Sequence, residues 1–268
     1  MPTRNARKTP PKMPDAEANW FGHRAVSAQE KTGLVQAVFS SVAGNYDVMN
    51  DLMSGGLHRL WKDRLVRLMR PKAGQVLLDV AGGTGDVALR CYDRTQGQAH
   101  ITVCDLNPEM LAVGRDKARD KGILDVPTPV GNPMRFIVGN AEKLPTDSNS
   151  VDTYSIAFGL RNVTHIDRAL ADAARVLRPG GRFFCMEFTS GVHPRLKPLY
   201  DRYCDVVMPL LGQYVAGDRA SYEYLAESIQ RFPAQEDLAT RMRDAGFEQV
   251  SWQNLTGGIA VIHSGWKL

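Results

Sequence analysis

The stretch Leu77–Asp86, LLDVAGGTGD, decides the fold of this chain of 268 residues. The run Val76–Val80 that enters it is short and almost wholly apolar, as in strands that are buried on both faces of a parallel sheet. The glycines that follow allow a tight turn and a close approach of the backbone to a ligand, and the helix after them offers its first N–H groups. A strand, a glycine loop and a helix in this order are typical of a doubly wound α/β sheet.

Strands and helices alternate along the rest of the chain, which supports this fold class. Helical periodicity covers residues 34–69, with a break at 54–56, and one face of its second half is predicted to carry Leu57, Leu60, Trp61, Leu65 and Leu68. Further strands are predicted at 101–104, 136–138, 151–158, 183–188, 247–255 and 259–266, and further helices at 87–92, 109–121, 166–177 and 235–245. The last two strands are joined so closely that we expect an antiparallel hairpin at the sheet edge.

Two ligands fit a glycine loop of this kind, a dinucleotide and S-adenosylmethionine, and two details favour the second. The sequence Gly82-Gly83-Thr84-Gly85 lacks the GxGxxG spacing of a dinucleotide fingerprint. Asp79 near the end of the first strand would repel a pyrophosphate, whereas a carboxylate there suits the positively charged amino-acid end of S-adenosylmethionine, directly or through water. We therefore expect S-adenosylmethionine as the cofactor.

Two neighbouring strand ends add polar groups to the predicted cofactor site. Asp105, followed by Leu106, ends the second strand, where an acid can accept hydrogen bonds from both ribose hydroxyls. Asn140 and Ala141 follow the third strand, where they can offer a side-chain amide and a backbone N–H to the adenine edge. Asn is commonly structural in turns, and aspartates can simply cap strands or helices. Their coincidence at neighbouring carboxyl ends favours a cofactor site.

Composition and charge bound the remaining choices. The net charge is +4, and its densest basic cluster is Arg4, Arg7, Lys8 and Lys12, so we predict no nucleic-acid surface. The four cysteines show no metal-ligand spacing, so no metal is expected and a reduced cytosolic compartment is favoured. We expect a disordered basic tail over residues 1–32 and one domain over residues 33–268.

Four groups of residues give the chain a family likeness. They are 38–62 (VFSSVAGNYDVMNDLMSGGLHRLWK), 78–86 (LDVAGGTGD), 158–164 (FGLRNVT) with 178–181 (RPGG), and 222–229 (YEYLAESI) with 254–266 (NLTGGIAVIHSGW). With them the chain resembles the ubiquinone/menaquinone biosynthesis C-methyltransferases, which are class I S-adenosylmethionine-dependent enzymes. The resemblance implies methylation of a ring carbon of 2-methoxy-6-polyprenyl-1,4-benzoquinol, of demethylmenaquinol, or of both.

The resemblance also implies a fold and a set of cofactor residues. The fold is a mostly parallel, seven-stranded doubly wound sheet with N-terminal helices, a helical insertion between strands five and six, and the C-terminal hairpin. The family's cofactor positions fall on Thr84, Asp105, Asn140 and Ala141. A further position, often serine, falls on Ala157, so any hydrogen bond made by that serine is absent or replaced by water. The full expected set is Asp79, Gly82, Gly83, Thr84, Gly85, Asp105, Leu106, Asn140, Ala141 and Ala157.

Carbon methylation requires electron density on a ring carbon, which a phenol supplies once its hydroxyl proton is lost. In the family reading, Arg161 assists that deprotonation or stabilises the phenolate, directly or through water, and Asn162 orients the ring oxygen. Arginine stays protonated, so its role is electrostatic rather than that of a direct base. The alternative for both residues is a structural turn with a salt bridge. Asp47 is a second candidate to accept the proton.

Residues 189–233 depart from the short connections elsewhere and are rich in tyrosine. We expect this insertion to form a lid and a channel for a polyprenyl tail, although ordinary helix packing also accounts for some of its tyrosines. Because the substrate lives in lipid, the channel mouth should face a membrane, with the protein peripheral to the cytoplasmic side of an inner membrane or to the mitochondrial matrix side. Homodimerisation and a quinone-synthesis complex stay open.

Two other functions compete with this interpretation. The chain could methylate another small lipophilic acceptor, or it could be a non-catalytic cofactor-binding scaffold in a quinone-synthesis assembly. The intact glycine loop, Asp105 and the FGLRN segment argue against decay of the site.

Overall fold

The computed structural model describes residues 19–21, 24–42, 48, 50–51, 54–123, 133–189, 191–207 and 219–268. Its strands are β1 (Asn19–Phe21), β2 (Arg24–Val26), β3 (Val76–Val80), β4 (His100–Asp105), β5 (Met134–Val138), β6 (Val151–Ala157), β7 (Leu177–Phe188), β8 (Glu248–Leu255) and β9 (Ala260–Trp266). Its α-helices are α1 (Ala28–Val42), α2 (Leu57–Met69), α3 (Asp86–Thr95), α4 (Pro108–Asp120), α5 (Ile166–Val176), α6 (Lys197–Arg202), α7 (Arg219–Arg231) and α8 (Gln235–Asp244). A π-helix, Tyr203–Val207, continues from α6.

Seven strands form one sheet in the order β5-β4-β3-β6-β7-β9-β8. Strands β3 to β7 are parallel to one another, while β9 runs antiparallel to both β7 and β8. The predicted α/β class, the strand count and the C-terminal hairpin are therefore confirmed. The order reverses at β3, which lies between β4 and β6, and in such sheets ligands bind beyond the carboxyl ends near this point.

Two predicted details of the sheet and its helices need correction. Strand β7 begins at Leu177 rather than at 183, because the Pro179-Gly180-Gly181 segment pairs with the C-terminus: Gly180 N–H donates to the Lys267 carbonyl (2.6 Å) and Lys267 N–H to that of Gly181 (2.9 Å). The predicted apolar face of α2 is wrong at Leu60, which is 62% exposed.

Helix α2 instead turns two polar side chains inward. His58 and Lys62 are buried beside Trp61 and Leu65. Each has a carboxylate partner: His58 Nε2 lies 2.8 Å from Asp51 Oδ1, and Lys62 Nζ lies 2.8 Å from an oxygen of Asp86. Buried polar groups require such partners, and here they set which face of the helix is inside.

The N-terminal boundary also differs from the prediction. Residues 1–18 lie outside the described residues, but 24–32 form β2 and the first turn of α1, so the predicted disordered tail does not extend to residue 32. The short hairpin is held by aromatic contacts to α7: Phe21 stacks on Tyr224, and Trp20 lies beneath Arg231. The described parts of the 189–233 insertion are largely helical, as predicted. No helix among the described residues has the length and apolar character needed to cross a bilayer.

Candidate active site

A cleft that is partly open to solvent lies at the carboxyl edge of the sheet. Loops after β3, β4, β5 and β6 meet there, and α1 forms the opposite wall through residues such as Thr32 and Gln36. The cleft brings together six of the predicted site residues, namely Gly83, Asp105, Leu106, Asn140, Ala141 and Asn162. The sequence argument that parallel strand ends meet at one edge therefore holds for this site.

Asp105 is the anchor between the glycine loop and β4. Its Oδ2 accepts the Gly83 N–H at 2.8 Å, and its Oδ1 accepts the Asn107 N–H at 2.8 Å. Burial raises the pKa of Asp105, and the backbone N–H groups oppose that rise. Each carboxylate oxygen has a second lone pair. The side chain is thus rigidly placed and can still accept two hydroxyl groups from the cleft.

The glycine loop is packed too closely to carry a side chain at its centre. A Cβ on Gly82 would lie 2.8 Å from Val103 Cγ1 and 3.0 Å from Asp79 Oδ2. Thr84 is buried, and its hydroxyl accepts a hydrogen bond from Lys117 Nζ at 3.1 Å. Gly85 does not line the cleft. It is the residue before α3, and its φ of 76° lies in the left-handed region that favours glycine. The loop thus presents backbone, rather than side chains, to a ligand.

A smaller depression adjoins the cleft at Ala81 and Phe158. Among its lining residues are Gly82, Thr84 and Ala157, three further members of the predicted set. Its floor holds Asp79, whose Oδ1 accepts the Ser155 hydroxyl at 2.7 Å. Its other oxygen is buried with no hydrogen-bond partner in the part of the chain that the structure describes. Burial raises the pKa of Asp79 to about 7.

Lys62 completes this depression and was not found from the sequence. Its Nζ lies 2.8 Å from Asp86 Oδ2, and the side chain is 6% exposed. The depression therefore combines a lysine with an acid that has one unpartnered oxygen. A zwitterionic amino-acid group, such as the methionine end of S-adenosylmethionine, matches this set of charges. The available signal was the spacing of His58 and Lys62, four apart on one helix face.

The structure separates Arg161 from Asn162. Both lie in the 3₁₀ turn Leu160–Asn162 after β6, but Asn162 lines the cleft, whereas the Arg161 side chain is 3% exposed and points to Glu187. Arg161 Nη1 donates to Glu187 Oε2 at 2.8 Å and to the Phe158 carbonyl at 2.5 Å. Burial raises the pKa of Glu187, and the charge of Arg161 opposes that rise.

One donor of Arg161 has no evident use within the protein. Its Nε–H is buried without a hydrogen-bond partner among the described residues. Glu187 also accepts the Arg161 backbone N–H at 3.2 Å, so the carboxylate holds both the side chain and the turn. Sequence reasoning missed Glu187, which lies inside an apolar strand. Asp47, the other predicted proton acceptor, lies outside the described residues.

Helix α1 is tied across the cleft by polar contacts. Lys31 Nζ donates to the Val163 carbonyl at 2.9 Å, the hydroxyls of Thr32 and Thr164 are 3.3 Å apart, and Gln36 Nε2 lies 3.3 Å from the Leu106 carbonyl. Burial lowers the pKa of Lys31. These contacts close one side of the cleft against water.

An apolar groove opens at the same edge of the sheet, between α2 and the insertion. Its walls include Leu57, Trp61, Leu196, Tyr200, Tyr203 and Ile259. The rings of Trp61, Phe158 and Phe188 lie between this groove and the cleft, with the Phe158 and Phe188 centroids 4.7 Å apart. Phe158 itself lines the cleft. An aromatic wall thus joins the polar cleft to an apolar surface.

Both the sequence and the fold of the chain match known proteins. A sequence model of the ubiE/COQ5 methyltransferase family matches residues 25–267. A ubiquinone/menaquinone biosynthesis C-methyltransferase UbiE of Brucella abortus (strain S19) is 51% identical over 250 residues, which cover 92% of this chain and 90% of the relative. The protein of the same description from Brucella anthropi is 50% identical, with 92% of each chain covered.

Solved structures support the fold. A SAM-dependent methyltransferase from Thermotoga maritima superposes with a TM-score of 0.61 at 18% identity, covering 87% of this chain and 99% of its own. Another, from Aquifex aeolicus, gives 0.57 at 14% identity, covering 82% and 97%. At these identities the likeness concerns the fold alone, which is the Rossmann-like sheet of class I methyltransferases.

Proposed function

This chain belongs to the ubiE/COQ5 methyltransferase family, and from that premise we propose that it methylates a ring carbon of a quinol in ubiquinone or menaquinone biosynthesis, with S-adenosylmethionine as cofactor. The observation that carries the proposal is the cleft itself. Asp105, Asn140 and Asn162 reach it from three separate strand ends, as a cofactor and an acceptor side by side require.

The cofactor, when bound, supplies an electrophilic methyl group on a sulfonium. Asp105 has the free lone pairs to accept the two ribose hydroxyls, and Asn140 with Ala141 borders the space for the adenine. The Asn140 side-chain oxygen already accepts the Glu142 N–H at 2.9 Å, so its NH₂ group and the loop backbone are what it offers a ligand. Asp79 offers its second oxygen to the ammonium group of the amino-acid end, and Lys62, which also pairs with Asp86, offers its charge to the carboxylate.

We assign the acceptor ring to the part of the cleft near Asn162. The ring must lose a phenolic proton before its carbon attacks. A polar side chain beside the ring oxygen holds that carbon in place relative to the methyl group. The orphan Nε–H of Arg161 supports an electrostatic role through a bound water, because a buried donor without a partner calls for one. Asp47 remains our candidate for the proton acceptor.

The groove beside α6 suits a long isoprenoid tail. Its lining is almost wholly apolar, and its mouth carries exposed apolar side chains, including Leu199, which is 72% exposed, and Val207, which is 38% exposed. The 189–233 insertion would then act as the lid over the acceptor. The same residues would place the groove mouth against a membrane surface, from which the quinol enters.

Turnover of purified protein tests the function directly. The protein is incubated with methyl-labelled S-adenosylmethionine and either 2-methoxy-6-polyprenyl-1,4-benzoquinol or demethylmenaquinol, and the products are identified by mass. We expect the label on a ring carbon of at least one quinol. Cofactor binding without transfer would instead favour a scaffold, and transfer only to unrelated lipophilic phenols would favour another acceptor.

Complementation provides the matching test in cells. A strain blocked at quinone C-methylation should regain its methylated quinone when it expresses this chain. A variant with Asp105→Ala should not restore it, because the ribose anchor is lost. Restoration by that variant would contradict the assigned cofactor site.

A further inference from the structure

We infer that Tyr224 is a positioning residue, which fixes the amide of Asn162 in the cleft and is itself held by the N-terminal hairpin. The inference rests on the proposed function, since it concerns the same acceptor site. It adds a residue on α7 and a segment near the N-terminus, neither of which reaches the cleft wall, to the machinery of the reaction.

The contact between the two side chains is direct. The Tyr224 hydroxyl donates to Asn162 Oδ1 at 2.9 Å across 62 positions of sequence. Tyr224 is 4% exposed, and burial raises the pKa of its phenol, so the hydroxyl stays protonated as a donor. Asn162 lines the cleft, while Tyr224 stands behind it.

This hydrogen bond decides what Asn162 offers the acceptor. An amide has one accepting oxygen and one donating NH₂ group, and its orientation follows from the network around it. With Oδ1 committed to Tyr224, the NH₂ group is the part left for the cleft. An N–H donor stabilises a phenolate oxygen, whereas the amide oxygen would repel it. A tyrosine hydroxyl can also accept, but in the structure Tyr224 donates, and it thereby holds the amide orientation that favours the deprotonated ring.

The hairpin fixes Tyr224 from its other side. The Phe21 ring stacks on the Tyr224 ring with centroids 4.2 Å apart and planes inclined by 12°. A second contact joins the same two elements, since the Arg231 guanidinium lies 3.9 Å above the centre of the Trp20 ring. Trp20 directly precedes Phe21 in β1, and Arg231 lies about two helical turns after Tyr224 in α7. Two strands of three residues each are marginal alone, so the pairing of Trp20 with Ala25 depends on this docking.

Ordinary packing is the competing explanation, and Tyr224→Phe separates the two. The variant keeps the ring that stacks on Phe21 and removes only the hydroxyl. We expect kcat for quinol methylation to fall about tenfold, the loss of one oriented hydrogen bond. The affinity for S-adenosylmethionine should not change, and the melting temperature should fall by no more than a few degrees, as for the loss of one hydrogen bond. The matched control, Tyr92→Phe, removes a tyrosine hydroxyl on α3 outside the cleft and should leave kcat unchanged.

A double-mutant cycle with Asn162→Ala tests whether Tyr224 acts through Asn162. If it does, adding Tyr224→Phe to Asn162→Ala lowers kcat no further. Phe21→Leu should lower kcat in the same direction, and Phe21→Tyr, which keeps the stacked ring, should restore it. Equal turnover by Tyr224→Phe and wild type, or additive effects in the cycle, would overturn the inference alone. A wild-type protein that binds the cofactor but methylates no quinol would overturn the proposed function and the inference with it.

Discussion

Asp79 places a carboxylate oxygen, which has no hydrogen-bond partner among the described residues, at the floor of the depression beside the cofactor loop. Its pKa is raised to about 7, mainly by burial, while Lys62 and the Ser155 hydroxyl favour the charged form and Asp86 opposes it. In the unfolded chain the group titrates near 3.8. The protonated form therefore contributes stability that is complete below that value and is lost as the pH rises through about 7.

Binding of a cationic amino group should favour the ionised form of Asp79 over the protonated form. Below the folded pKa, S-adenosylmethionine must displace a proton from Asp79, so its affinity should rise with pH and level off above about 7. Asp79→Asn should abolish the pH dependence and weaken binding at pH 8 by roughly 10- to 100-fold, the value of a charge-assisted hydrogen bond. Calorimetric titration across this range, in buffers of different ionisation enthalpy, measures both the affinity and the proton released.

The same substitution should raise the melting temperature of the cofactor-free protein at pH 8, because it removes a buried charge. Asp116→Asn is the control, since Asp116 is exposed and lies in α4 away from the depression. A pH profile that stays the same in Asp79→Asn would mean that another group titrates with the cofactor.

Arg161 and Glu187 form a buried ion pair. A single alanine substitution at Arg161 would therefore change both the stability of the fold and the rate of the reaction. Arg161→Ala leaves the Glu187 carboxylate fully buried and unpaired, which should cost about 3–5 kcal/mol of stability. The paired variant Arg161→Met/Glu187→Gln removes both charges and should recover most of that loss. We expect it to remain about 100-fold slower than wild type, because the Nε–H donor is gone.

Denaturant unfolding and single-turnover rates together separate stability from chemistry. A paired variant that folds and turns over like wild type would show that Arg161 only holds the turn. Arg161→Lys adds a further comparison, since it keeps the charge but not the guanidinium group, whose Nη1 donates to both Glu187 and the Phe158 carbonyl and whose Nε–H is the donor in question.

Among the elements, the glycine loop between β3 and α3 depends most on a single missing side chain. Gly82→Ala would place its methyl group 2.8 Å from Val103 Cγ1, which should cost about 1–3 kcal/mol and displace the loop. We expect S-adenosylmethionine affinity to fall at least about tenfold. Gly33→Ala in α1 is the matched control, because its Cβ meets no atom within 4 Å. The affinities are measured by titration. Equal cofactor affinity in the two variants would show that the loop tolerates a side chain at Gly82.

Local signals were enough to predict most elements from the sequence. Helix α4, predicted over 109–121, begins at Pro108, where the side-chain oxygen of Asn107 accepts the N–H groups of Glu109 (2.8 Å) and Met110 (3.1 Å). The β1–β2 hairpin was missed because strands of three residues carry almost no periodicity. Its stability comes from α7, which lies far along the chain.

The residues of the candidate site also fall into a group that the sequence predicts and a group that it does not. Asp105 and Asn140 were predictable, since each follows a recognisable strand and parallel strand ends converge. Lys62, Glu187 and Tyr224 were not, because their partners lie 24, 26 and 62 positions away. Such contacts follow from how α2, β7 and α7 pack on the sheet, which periodicity does not report.

In the whole molecule, the polar cleft and the apolar groove open at one edge of the sheet. The end of β7 pairs with the start of β9, Phe188 with Ala260, so Ile259 of the groove lies beside the carboxyl ends that form the cleft. The opposite edge carries the C-terminus, where Lys267 Nζ contacts the side chain of Asn149 and the carbonyl of Leu177. Among the described residues, the site and the apolar groove thus lie at the same end of the molecule.

The position of the cleft and the groove at one edge of the sheet predicts how the protein lies on a lipid surface, with this edge facing the membrane. Leu199→Glu/Val207→Glu puts two charges at the groove mouth, where both native side chains are exposed. We expect its binding to vesicles of phosphatidylethanolamine and phosphatidylglycerol to fall at least about tenfold, the cost of losing even one buried leucine side chain.

Leu268→Glu is the matched control, since Leu268 is 60% exposed at the opposite edge and should bind vesicles like wild type. Co-sedimentation gives the bound fraction. Turnover is then compared between a long-tailed quinol in vesicles and a short-tailed quinol in water. The groove variant should be slow only with the first, because its cleft is intact. Equal loss with both quinols would place the damage in the active site, and unchanged vesicle binding would move the membrane contact to another face.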